Sequence, residues 1–199
     1  MIRGLYVGRF QPYHNGHKAF IQKIAEEVDE LVIGIGSAQM SHTVRHPFTA
    51  GERILMIARD LTNLDIPIYT IPLEDVKRNS LWVSHVISMC PPVTQIYTSN
   101  PLISQLFLEA GRHVVCPSGL CPHKVLSSEE WCSAVRAGGD WRSYVPLETV
   151  RVIEDVGGVE RIRQITQTDE SAAYGNMQPQ ATPYFAECAP GVFSPSHKS

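Results

Sequence analysis

The chain has 199 residues, 43% of them hydrophobic and 19% charged, an ordinary balance for one folded α/β core with room for a small appendage. A formal net charge of −3 gives no general electrostatic reason to bind nucleic acid, so any anion-binding surface must be local. No apolar run is long enough to span a membrane, and the opening MIRGLYVG lacks the charged-then-apolar layout of a signal peptide, so a cytoplasmic protein with no membrane or nucleic-acid partner is expected.

In chain order, LYVG reads as a strand, GHKAFIQKIAEEV as a helix with Ala19, Phe20, Ile24 and Val28 at helical spacing, and ELVIGIG as a second buried strand. A loop over residues 37–48 leads to TAGERILMIARDL, where Thr49 and Glu52 have capping-box spacing at the start of a helix. Next come a strand at IPIYTIP, a polar loop LEDVKRN, a helix near SLWVSHVISMC, a strand at QIYTS, a helix over about 101–110 and a strand at HVVCP. Five strands separated by helices imply a doubly wound parallel sheet, which places ligands at the carboxyl ends of its strands. Beyond Pro117 the strands stop. Ser127 and Glu130 form a second capping box, and EEWCSAVRAG, PLETVRVIEDV and VERIRQIT read as a helical C-terminal extension. The expected domain covers residues 1–168, and residues 169–199, rich in Ser, Pro, Gln and Ala, are expected to form a loose tail.

The five cysteines (Cys90, Cys116, Cys121, Cys132, Cys188) contain no CxxC pair, so free thiols are expected. The group His113, Cys116, Cys121 and His123 matches no common metal spacing, and no protein metal site is expected. There is no GxxxxGK[ST], and GIGSAQ lacks the third glycine of a dinucleotide fingerprint.

Residues 8–17, GRFQPYHNGH, join the first strand to the first helix, where a doubly wound sheet holds phosphate. Helix N-termini offer unpaired N–H groups, Gly8 and Gly16 permit close approach of backbone to ligand, and Arg9 can fork onto phosphate oxygens. His14 and His17 would donate ring N–H bonds to the same anion. A zinc pair is the weaker reading, since neither a third ligand nor HExxH accompanies them.

This stretch resembles the HxGH signature of the nucleotidyltransferase superfamily, in particular archaeal-type nicotinamide-nucleotide adenylyltransferases. The likeness continues through DELVIGIGSAQMSHTVRHPFTAGER, EDVKRNSLWVSH, IYTSNPL, GDWRSYVP and VIEDVGGVERI. It implies a Rossmann-like fold and an enzyme of NAD biosynthesis that joins ATP to nicotinamide mononucleotide (NMN), releasing pyrophosphate, with Mg2+ accompanying ATP. It further implies that His14, His17, Arg9 and Arg45 act on the triphosphate, and that Gly8, Phe10, Gly16 and Ser127 complete the ATP site. Trp82 would stack on the nicotinamide ring beside Asp75 and Asn79, with Ser37, Gln39 and Asn100 lining the same side. Without the resemblance, Trp82 reads as core, Arg45 as a solvated loop residue and Ser127 as a helix N-cap. A homo-oligomer is implied without its number.

One departure stands out. Where the family carries an arginine in the helix that completes the triphosphate clamp, this chain has Cys132, with Glu129 and Trp131 also changed. Arg136, one turn on, could reach back to replace it. The alternatives are a nucleotide-binding regulator with weak or no turnover, and an HxGH enzyme with another acceptor.

Overall fold

The structure, a computed structural model, describes residues 1–115 and 128–175, with residues 128, 129 and 169–175 as backbone only. Five parallel strands, β1 (Arg3–Gly8), β2 (Glu30–Ile35), β3 (Ile68–Pro72), β4 (Gln95–Tyr97) and β5 (Val114–Val115), form one sheet in the order β3-β2-β1-β4-β5. Between them run α1 (Asn15–Ala25), α2 (Ala50–Asp60), α3 (Asn79–Met89) and α4 (Pro101–Glu109). The expected doubly wound sheet and each of its strands are therefore present. β5 is shorter than HVVCP suggests, because Cys116 and the residues after it lie outside the described ones.

Alternation along the strands divides the core into two layers. Leu5, Val7, Val32 and Ile96 face one side, where α3 and α4 contribute Val83, Val86 and Phe107. Tyr6, Leu31, Ile33, Ile35 and Tyr97 face the other, where α1 and α2 meet the C-terminal helices. Strands buried on both faces explain why they read as nearly continuous apolar runs.

The C-terminal extension is helical, as expected: α5 (Ser128–Arg136), α6 (Leu147–Asp155) and α7 (Gly158–Gly175). α7 runs on past residue 168, where the sequence suggests that the domain ends. Trp131 is fully buried, 5.8 Å from the Phe48 ring and 6.1 Å from Trp141. The Thr49–Glu52 capping box opens α2, and Glu52 also accepts a two-pronged ion pair from Arg161 of α7, both contacts 2.8 Å. α7 is thereby fastened to the segment that leads into the ligand-facing end of the sheet. The second capping box falls on Ser127, outside the described residues, as do Cys121 and His123.

Candidate active site

At the carboxyl ends of the strands, between β1 and β4 where the winding reverses, lies a cavity of about 620 Å³. The end of β1 supplies Gly8, Arg9 and Phe10, α1 supplies His17, and the turn after β2 supplies Gly36 and Ser37. The opposite side is formed by Asp75, Asn79 and Trp82, with Thr98, Ser99 and Asn100 closing the end of β4. Thr98 and Ser99 were not singled out from the sequence, although their position just past a strand end is a usable signal.

The HxGH motif builds its own geometry. His14 is the N-cap of α1 and His17 its third residue, the spacing of a capping box. The His17 backbone N–H donates to His14 Nδ1 and the His14 N–H donates to His17 Nδ1, both at 3.3 Å. The rings stack at a centroid distance of 3.6 Å. Because each Nδ1 accepts, each neutral ring carries its proton on Nε2. Burial holds His14 down to about 4, with its own backbone hydrogen bond and the Glu130 carboxylate of α5 opposing in part. His17 is pushed well below the usual histidine range by burial and by His14. At neutral pH the pair is thus two uncharged Nε2–H donors.

Two side chains on neighbouring turns, Phe10 (φ 51°) and Ser37 (φ 50°), adopt left-handed backbone, which costs roughly 1–2 kcal/mol per non-glycine residue. The Phe10 ring folds back over Gly8, where a Cβ would lie 2.8 Å from it, so any side chain at residue 8 would displace that ring. Gln11 is buried and pairs reciprocally with the Phe48 backbone (2.8 and 3.0 Å), joining the HxGH loop to the approach to α2.

The remaining sequence candidates divide clearly. Arg9 lines the cavity, whereas Arg45 is exposed on the loop before α2. Both charges, with Arg53, depress the His46 imidazole after burial, so the arginines converge on that loop. Trp82 lines the cavity and packs edge-on against Phe107 at 5.7 Å, which satisfies the packing and ligand readings together. Asn100 caps α4 through Oδ1, which accepts from Leu102 and Ile103, while also facing the cavity. Gln39 is not among the lining residues; it braces Asp75 by exchanging hydrogen bonds with its backbone at 3.0 and 3.4 Å. Gly16 sits in the first turn of α1 and does not line the cavity. Cys132 packs against the main core, and Arg136 is exposed, its guanidinium 3.5 Å from Ser133 Oγ on its own helix. Arg136 is therefore not brought to the cavity, and Ser127 lies outside the described residues.

Residues 5–132 match the cytidylyltransferase-like family. The chain is 59% identical over 169 residues to a nicotinamide-nucleotide adenylyltransferase of Methanocorpusculum labreanum, covering 85% of this chain and all of that protein. It is 50% identical to one from Halorubrum lacusprofundi, covering 84% of this chain and 95% of the relative. Among solved structures it resembles a bifunctional NMN adenylyltransferase/ADP ribose pyrophosphatase of Francisella tularensis, complexed with AMP and a manganese ion. That likeness has a TM-score of 0.66 at 18% identity, and covers 88% of this chain but 55% of the other. A nicotinic acid mononucleotide adenylyltransferase of Plasmodium falciparum aligns with a TM-score of 0.57 at 15% identity, covering 79% of this chain and 96% of its own. At these identities the solved structures speak to the fold alone.

Proposed function

Because this chain belongs to the cytidylyltransferase-like family, and within it to the nicotinamide-nucleotide adenylyltransferases, we propose that it transfers the adenylyl group of ATP to nicotinamide mononucleotide, giving NAD and pyrophosphate. The observation that carries this reading is one cavity with two unlike sides. His17, a neutral donor, and Arg9 stand on one side, with His14 stacked on the His17 ring but not itself lining the cavity, and an aromatic face with Asn79 and Asp75 stands on the other.

In this reading an oxygen of the NMN phosphate attacks the α-phosphorus of ATP, and the bond from that phosphorus to the pyrophosphate oxygen breaks. No covalent enzyme intermediate is needed, so the chain contributes position and charge. His14 and His17 donate Nε2–H bonds to ATP phosphates. Arg9 and Arg45 neutralise charge on the triphosphate, and Gly8 and Phe10 form the turn against which it lies, with Gly16 left out of the set because it does not line the cavity. Trp82 stacks on the cationic nicotinamide ring, with Asp75, Asn79, Ser37 and Asn100 beside it and Gln39 holding Asp75 in place. Arg136 is left out of the set because it engages Ser133 instead.

Mg2+ is proposed as the cation accompanying ATP. Asp75 lines the cavity, and among the described residues no three His, Cys, Asp or Glu side chains cluster as a metal cage. That donor set suits a cation held mainly by phosphate oxygens and water. When bound, the cation offsets charge on the departing pyrophosphate. A cytoplasmic homo-oligomer is also proposed. Leu81 and Met89 of α3 and Leu102 and Leu108 of α4, each at least half exposed, support self-association.

The test is direct. Purified chain given ATP, Mg2+ and NMN is expected to form NAD and pyrophosphate in equal amounts. Tight ATP binding without product would overturn the assignment in favour of a nucleotide-binding regulator.

A further inference from the structure

We propose that Arg53 is a positioning residue for adenylyl transfer: its guanidinium clamps the turn after β1 to the turn after β2 and so fixes the floor on which the triphosphate lies. This rests on the reading of the cavity as the ATP site.

Arg53 lies in the first turn of α2 and is fully buried. Its donors reach four carbonyl oxygens. Nε donates to Thr49 at 3.1 Å, one terminal nitrogen to Arg9 and Gly36 at 2.8 Å each, and the other to Ser37 at 3.1 Å. Those acceptors are significant. The Arg9 carbonyl belongs to the peptide that enters Phe10, and the Gly36 and Ser37 carbonyls flank Ser37, the two cavity-lining residues held in left-handed backbone. The sheet itself joins these segments through the bond from Gly36 N–H to the Gly8 carbonyl at 2.8 Å. Past that bond the guanidinium takes over, spanning both turns from below.

A fully buried arginine is ordinarily paired with a carboxylate. Here, among the described residues, the guanidinium donates to carbonyls alone, since the neighbouring Glu52 is engaged by Arg161. Burial pushes Arg53 down to about 10, with Asp75 and Glu52 opposing from further away, so it stays charged at neutral pH. A planar fork can direct separate N–H bonds to several carbonyls, whereas the point charge of lysine cannot hold both turns at once. The clamp therefore supplies geometry that Arg53→Lys loses while keeping the charge.

The experiment compares the full-length wild type with Arg53→Met, Arg53→Lys and the surface control Arg59→Met in steady-state NAD synthesis. ATP affinity is measured by calorimetry, and folding by circular dichroism. Displacing reacting groups by about 1 Å costs on the order of 100-fold in rate, so folded Arg53→Met is expected to lose about that much kcat. Arg53→Lys is expected to stay at least about tenfold below wild type, and Arg59→Met to match it. A folded Arg53→Met within about threefold of wild-type kcat overturns the proposal, as does full recovery by lysine, which would assign the effect to charge alone. If the wild type makes no NAD, the assigned activity fails instead. The clamp then stands or falls on whether folded Arg53→Met binds ATP about tenfold more weakly than wild type. Should neither Arg53 variant fold, the wild-type Arg53 Nε–H resonance decides: it is expected to shift when Mg2+ and ATP are added, and an unmoved resonance overturns the clamp.

Discussion

His14 carries two loads that different substitutions separate. As N-cap it accepts the His17 N–H through Nδ1, and in the proposed reaction its neutral ring offers Nε2–H to phosphate. His14→Ala removes both. Loss of an N-cap costs about 1 kcal/mol, and loss of a buried ring stacked at 3.6 Å on His17 adds about as much again. For a chain of this length each kcal/mol moves Tm by about 2–4 °C, so His14→Ala is expected to melt about 4–8 °C lower. Asparagine is among the best N-cap residues, and its Oδ1 can accept the same N–H, so His14→Asn is expected to recover about half of that loss. Neither variant replaces the Nε2–H donor. Both are therefore expected to lose about 10²- to 10³-fold in kcat/KM, the usual effect of deleting one preorganised donor to a transition-state oxyanion. Thermal melts and NAD-formation kinetics on the three proteins decide the matter. Activity of His14→Asn within about tenfold of wild type would refute the donor role, and equal melting of the Asn and Ala variants would refute the capping role.

The same histidine sets a pH dependence. It binds its proton near 6.5 when unfolded and near 4 when folded, so the unfolded state holds more protons between those values, and stability, complete above the window, is lost as pH falls through it. At about pH 5 His14 alone removes about 2 kcal/mol, with His17 acting in the same direction, and Tm is expected to fall by at least about 4 °C from neutral pH. A flat Tm across that range would contradict the burial argument. Trp82→Ala is expected to raise the KM for NMN about tenfold, within the 0.5–2 kcal/mol range of a cation–π contact plus lost packing. The KM for ATP should hardly move, and equal rises in both would place Trp82 in the scaffold alone. Arg136→Ala should leave kcat within about twofold, because its guanidinium engages Ser133, and a tenfold fall would mean that the last turn of α5 reaches the phosphates.

The sheet was legible because its strands are buried on both faces and its helices carry their own start signals, Thr49–Glu52 and Asn100–Pro101 among them. The strand-to-helix position of residues 8–17 at the cavity was legible in the sequence, but the capping function of the two histidines was not. Capping boxes are usually recognised by serine or threonine with glutamate or glutamine, and the same three-residue spacing in histidine reads first as chemistry. The structure places Arg136 away from the cavity for a reason that helical spacing cannot show. Trp131 and Val135 of α5 are buried in the core, and Arg136, next to Val135, is carried round to solvent.

An arginine in a helix reads by default as solvated, yet the sequence carries two signals that Arg53 is not. Arg53, Met56 and Ile57 fall at positions i, i+3 and i+4, so the charge lies on the buried stripe of α2. It also occupies the first turn, where the helix dipole disfavours a cation. A charged side chain that violates both the hydrophobic pattern and the dipole must be compensated by something outside its own helix. Here that compensation is a set of carbonyl oxygens from the two turns that line the cavity, so the local misfit in α2 points to the site it supports.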